Sequence, residues 1–177
     1  MKEVIQTALN EQIKSELSAA YFYLSGSGYF ELTNLSGFAA WMRMQSQEEV
    51  KHAMRFFNFL LDRGSPVTLQ AIGQPAANFQ SPLDVFTQAL QQEQQVTTQI
   101  NLLYALTLQE QDYPAQILLQ WFVTEQVEEE KEMHRIIEEL RMAGDNASAL
   151  LMLNNTLGSR QAKAPDFTAE ARSAPGI

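Results

Sequence analysis

The sequence predicts an all-α fold: a four-helix bundle with one long crossover loop and a short fifth helix on its C-terminal side. Three observations carry this. Four segments place apolar residues in steps of three or four, the helical period. Capping and breaking residues bound each of them. Between the second and third, the stretch 64–80 contains Gly64, Pro66, Gly73 and Pro75 and shows no helical period. A chain of 177 residues suits one domain with a sizeable core.

Taken in order, the first helix is expected over roughly 2–28. Gly26, Ser27 and Gly28 either end it or let a neighbour approach closely. The second starts near Asn34, read as its N-cap, and stops before Gly64, a good residue just past a helix end. The third opens at Ser81-Pro82-Leu83-Asp84, with Ser81 capping and Pro82 in the first helical position. The fourth follows Asp112-Tyr113-Pro114 and stops at Gly144. A fifth, short helix covers about 146–157. Its core, Ala147 to Leu153, is apolar nearly all round, so one bundle surface cannot cover it and other subunits are expected to. The bundle thus occupies 1–144, the domain 1–157, and an irregular tail 158–177.

The crossover settles the topology. A second helix of about 28 residues is about 42 Å long. About seventeen extended residues reach roughly 56–61 Å. The loop can therefore run the height of the bundle and leave helices two and three parallel, while short connections make the other sequential pairs antiparallel.

Each helix carries an anomaly in its apolar stripe. The first stripe reads Ile5, Leu9, Gln12, Glu16, Ala20, Tyr23, Ser27. The second reads Phe38, Met42, Gln45, Glu49, His52, Phe56, Leu60. The third reads Phe86, Leu90, Glu93, Thr97, Ile100, Tyr104. The fourth reads Leu118, Phe122, Glu125 or Gln126, Glu129, Met133, Ile136, Leu140. Carboxylates and an imidazole inside a core stripe are costly unless something pairs with them. Inward Glu residues on all four helices, with one Glu-x-x-His pair at Glu49 and His52, describe a metal site in the bundle core. Glu48, Glu125 and Glu128 flank the stripes and read as solvated charges or as part of a further site.

Composition narrows the function. The formal net charge is −9, which opposes nucleic acid as a partner and suits cations. There is no cysteine, so neither disulfides nor thiolate ligands are available. The first residues lack the apolar run of a signal peptide, and no apolar stretch approaches membrane-spanning length. A soluble, cytoplasmic protein without a membrane partner is expected.

Carboxylates with one imidazole suit a hard or borderline metal that changes redox state, iron or manganese; zinc fits the same donors as an inert occupant. Glu49 is placed to bridge two metals. Glu16 and His52 complete one position, Glu93 and Glu129 the other. Two adjacent ferrous ions can each give an electron to dioxygen. Tyr23, two turns from Glu16 on the same stripe, can hydrogen-bond a ligand or supply an electron.

Over about residues 3–157 the chain resembles the non-haem bacterial-type ferritins of the ferritin-like di-iron family. The matching stretches are Asn10-Glu11-Gln12 through Glu16 and Tyr23, Gln47-Glu48-Glu49 through His52, Glu93, and Leu119-Gln120-Trp121 followed by Glu125 to Lys131. The resemblance implies a ferritin-like four-helix bundle and a hollow shell of twenty-four subunits. Each subunit would oxidise Fe(II) with dioxygen or hydrogen peroxide at a di-iron ferroxidase centre, and a ferric mineral would be stored inside. It implies that Glu16, Glu49 and His52 hold one iron, that Glu49, Glu93 and Glu129 hold the second, and that Gln126 lies beside the second. It also implies a third iron site at Glu48, Glu125, Glu128 and Glu129.

The departures are informative too. Haem-binding relatives carry a Met just after the bridging Glu; Val50 stands there, so no haem is expected. Rubrerythrin-type enzymes and bacterioferritins carry a second Glu-x-x-His; three residues after Glu129 this chain has Glu132. Gln116 and Leu119 fall where animal ferritins line a three-fold pore with acids, which leaves the path of iron into the shell open. The rival functions are a non-catalytic metal-buffering shell and a di-metal oxidoreductase of rubrerythrin type.

Overall fold

The computed structural model describes residues 1–159, so the tail expected at 158–177 lies almost entirely outside the described residues. Five helices follow in order: α1 Glu3–Leu32, α2 Ser36–Asp62, α3 Pro82–Gln109, α4 Tyr113–Ala143 and α5 Ala147–Gly158. Among the described residues there is no strand.

Helix α1 passes straight through the glycines that were allowed to end it. Gly26 is there for close approach: a Cβ at this position would come within 3.3 Å of Val85 Cγ1 and 3.4 Å of Met42 Sδ. The helix ends at Leu32, four residues past Gly28. Asn34 then takes a left-handed φ of 60°, and Leu35 N–H returns to Phe30 O at 2.9 Å. Asn34 is therefore not the N-cap of α2. It makes the turn, which asparagine tolerates better than most residues. The N-cap position holds Leu35, which supplies no side-chain cap. The missing acceptor comes from α5, where Asn154 Oδ1 accepts from Phe38 N at 3.0 Å.

The other boundaries follow local chemistry. Gly64 has a φ of 62°, as required just past the end of α2. Ser81 Oγ accepts from Asp84 N at 3.1 Å with Pro82 opening α3. Asp112 Oδ1 accepts from Ala115 N at 3.2 Å at the start of α4. Asp112 also receives both arms of Arg63, at 2.8 and 3.1 Å, which ties the end of α2 to the start of α4.

The crossover climbs α1 from bottom to top. Thr68 N donates to Asn10 Oδ1 at 2.7 Å, Ser25 Oγ donates to Ala76 O at 2.6 Å, and Phe79 packs edge-on against Phe22 and Tyr29. The loop thus delivers Ser81 to the end of the bundle where α2 begins. Phe86 of α3 there meets Phe38 and Trp41 of α2. Helices α2 and α3 are parallel, as the loop length allowed.

The core is divided. One apolar cluster around Phe30, Phe38, Trp41 and Phe86 fills the upper half. Another around Leu9, Phe56, Ile100 and Phe122 fills the lower half. A layer of buried polar side chains separates them.

Candidate metal centre

That polar layer is made from the stripe interruptions. Glu16 comes from α1, Glu49 and His52 from α2, Glu93 from α3, and Gln126 and Glu129 from α4, and all are buried. Glu16, Glu49 and Glu93 have no exposed surface at all. The helical period brings them inward with their apolar neighbours, so their burial is a consequence of the packing on either side.

Glu16, Glu49 and His52 each offer one ligand atom, and these atoms lie within 4.8 Å of one another. His52 Nδ1 is 3.3 Å from Glu49 Oε2. Gln12 Nε2 donates to Glu16 Oε1 at 2.9 Å. On the far side, Tyr23 OH donates to Glu93 Oε1, and Gln45 Nε2 donates to Glu129 Oε2 at 2.9 Å. The His52 ring packs edge-on against Trp121 and Phe122 at 5.4 and 5.9 Å, and the Arg55 guanidinium covers Trp121.

The electrostatics are out of balance. Glu16 Oε2, Glu49 Oε1 and Glu93 Oε2 are buried and accept no hydrogen bond. Burial first, then the charges of Glu16 and Glu129, push the Glu49 carboxyl well above its ordinary 4.5. Burial, then Glu49 and Glu129, do the same to Glu93, against the Tyr23 hydrogen bond. Burial raises Glu16 too, opposed by the charge of His52 and the Gln12 hydrogen bond. Burial and the charge of Glu93 push the Tyr23 hydroxyl well up, so it stays a donor. Carboxyls crowded this way either hold protons or share a cation. Oxygen donors with one imidazole match a divalent transition metal.

A pH dependence follows. A carboxyl whose folded value is raised binds its proton more tightly in the folded than in the unfolded chain. Its stabilising contribution is complete below 4.5 and is lost as pH climbs through the raised values. Glu49→Gln removes one such group. Without metal, the melting temperature of this variant relative to the parent should rise as pH climbs above 4.5. A pH-independent difference would count against the buried charge cluster. Divalent metal should reverse the order, because binding at about a hundredfold excess over Kd adds about 2.7 kcal/mol per site to the parent.

The flanking acids sort by depth. Glu48 is buried, Glu125 half-buried and Glu128 exposed, with Lys131 Nζ 3.6 Å from Glu128. Glu48 thus departs from a solvated-face reading. Among the described residues, the trio Glu16, Glu49 and His52 is the one group of three that brings ligand atoms this close. Glu48, Glu125, Glu128 and Glu129 do not converge in the same way. Nothing in the sequence marks the two amide donors, Gln12 and Gln45, except that each lies on a stripe four residues before a Glu. Val50 is partly exposed on α2.

Comparison with known proteins agrees with this geometry. Residues 6–143 match the family described as the ferritin-like domain. A bacterial non-heme ferritin of Bacteroides fragilis is 36% identical over 160 residues, spanning 90% of this chain and 99% of its own. One from Staphylococcus aureus is 35% identical over 153 residues, spanning 86% and 92%. Among solved structures, an open pore ferritin from the hyperthermophilic archaeon Archaeoglobus fulgidus superposes with a TM-score of 0.90 at 43% identity, covering 91% of this chain and 99% of that one. A humanized archaeal ferritin gives 0.91 at 42%, covering 93% and 99%. Agreement of this extent, in sequence and in structure and along nearly the whole of each relative, means that the chain belongs to the ferritin family.

Proposed function

We propose that this protein is an iron-storage ferritin with ferroxidase activity, working in the cytoplasm as a shell of twenty-four subunits. The observation that carries the reading is the buried trio Glu16, Glu49 and His52, with Glu93 and Glu129 beyond it on α3 and α4. Among the described ion pairs, no Lys or Arg reaches Glu16, Glu49 or Glu93. Ferrous iron supplies the missing positive charge as substrate.

In this reading Glu49 is shared between two ferrous ions. Glu16 and His52 complete one position, and Glu93 and Glu129 the other. Each ion gives up one electron. Dioxygen takes both electrons with two protons and leaves as hydrogen peroxide, which can serve as oxidant in turn. Gln12 and Gln45 hold the Glu16 and Glu129 carboxylates in place. Tyr23 holds Glu93, and Gln126 stands beside the second position. Glu48, Glu125 and Glu128, with Glu129, are the acids that the resemblance assigns to a third iron site. No haem takes part, since Val50 offers no thioether. No helix among the described residues is long and apolar enough to cross a membrane.

The test is direct. Ferrous iron is added under air, the ferric absorbance is followed, and the product is sized and its iron weighed. Iron bound without oxidation would leave only a metal-buffering shell. Oxidation without a mineral-filled shell would favour a di-metal oxidoreductase of the rubrerythrin type.

Assembly is read from α5. Leu153 and Leu157 pack inward and Leu150 is partly covered, while Leu151 and Met152 are 52% and 73% exposed. Further copies of the chain cover that face in the proposed shell. Met152→Arg should therefore reduce the assembled size in size-exclusion chromatography while circular dichroism stays unchanged. A variant that elutes with the parent would show that α5 closes no contact between subunits.

A further inference from the structure

Between α3 and α4 runs a groove of about 430 Å³, lined by Thr97, Gln126, Glu130 and neighbours. Its inner end lies one turn from the metal layer: Thr97 follows Glu93 by four residues and Gln126 precedes Glu129 by three. Thr97 Oγ1 is 2.5 Å from Glu130 Oε1 and 3.4 Å from Gln126 Oε1.

These two contacts compete. A threonine hydroxyl has one proton, and a carboxylate can only accept. The shorter contact claims the proton, so the hydroxyl goes to Glu130, and Thr97 Oγ1 then faces Gln126 with lone pairs alone. An amide oxygen there would meet an acceptor. Turning the amide by half a rotation puts its NH₂ on Thr97 Oγ1 instead; oxygen and nitrogen of a glutamine amide are distinguished by such a network rather than by shape. The carbonyl oxygen becomes the end that can turn to a cation.

We propose that Glu130 and Thr97 are positioning residues. Acting in series, they fix the Gln126 amide with its carbonyl oxygen available to the metal held by Glu93 and Glu129, or to a water on that metal. This rests on the two-metal reading above. It adds two residues that carry none of the iron, and it makes the second position depend on a carboxylate in the groove.

The experiment is anaerobic titration of the assembled, metal-free protein with ferrous iron in a calorimeter. Parent protein should bind two equivalents per subunit at this centre. Thr97→Val keeps the shape and removes the hydroxyl. It should weaken the second equivalent by roughly 10- to 100-fold, the usual cost of losing a partner that orients a ligand, and leave the first unchanged. Glu130→Ala frees the hydroxyl proton for the amide oxygen and should act in the same direction. Thr97→Ser should restore parent affinity. Unchanged affinity in both Thr97→Val and Glu130→Ala would overturn the proposal, as would equal weakening of both equivalents, which indicates a general packing defect. A parent that binds a single equivalent would instead overturn the two-metal reading on which the proposal stands.

Discussion

Glu49→Ala is expected to slow oxidation of the first two ferrous ions per subunit by at least about 100-fold. Losing a group that merely orients a ligand costs roughly 10- to 100-fold in metal-site function. In the proposed two-metal reading Glu49 is a ligand to both ions, and a two-metal site works by holding its two centres together. His52→Ala should be milder, since it strips one position and leaves Glu93 and Glu129 untouched. Stopped-flow absorbance after mixing with ferrous iron under air reads both variants. Folding should survive. Glu49 is fully buried, its Oε1 accepts no hydrogen bond, and burial already disfavours its charge. Substitution in the metal-free protein gives up the contact with His52 and the hydrogen bond shared with Glu16, and relieves a buried carboxyl. If Glu49→Ala oxidises those first two ions at the parent rate, Glu49 is not a bridge.

The buried polar layer was legible because its signal is local. A Glu inside an apolar stripe breaks a period that the rest of the helix keeps, and the break shows within one helix. Glu16, Glu49, His52, Glu93 and Glu129 all proved buried in one layer. The crossover was legible for a similar reason: its length and its glycines and prolines lie in one stretch. What stayed hidden depends on partners far along the chain. Gln45 has the pattern of an ordinary core-edge amide, and its acceptor is Glu129, on another helix. The depth of Glu48 against Glu128 could not be sorted, because both sit beside the stripe and the rotation of the helix decides by a few tens of degrees. Thr97 lay on the third stripe, but its link to Glu130 needs α4 beside it. Asn34 shows the limit most clearly. Its type suits a cap, yet it also suits a left-handed turn, and the cap of α2 came from Asn154, which is 116 residues from Phe38 in sequence.

That distant cap leads to the second large effect. Gly37→Ala is expected to undock α5. Helix α5 crosses the start of α2 at glycines: a Cβ on Gly37 would lie 1.9 Å from Asn154 O and 2.7 Å from its carbonyl carbon, and a Cβ on Gly158 would lie 2.7 Å from Gly37 Cα. These obstacles are backbone atoms, so no side-chain rotation relieves them and α5 must move. Moving it breaks the Asn154 cap on Phe38 N, which is worth about 0.5–2 kcal/mol. It also loosens Leu153 and Leu157, now 8% and 3% exposed. Forced overpacking of this kind typically costs about 1–3 kcal/mol before the lost contacts are counted. At about 2–4 °C per kcal/mol for a chain of this size, the melting temperature should fall by roughly 5–15 °C. The metal layer lies further along the bundle, held by apolar clusters above and below, so ferrous binding per subunit should persist while the assembled size drops. Asn154→Ala, which removes the cap without a clash, should show a smaller fall in melting temperature and keep the assembled size. A Gly37→Ala protein with parent stability and parent size would mean that α5 is not held at this crossing, and that the cap on α2 is dispensable.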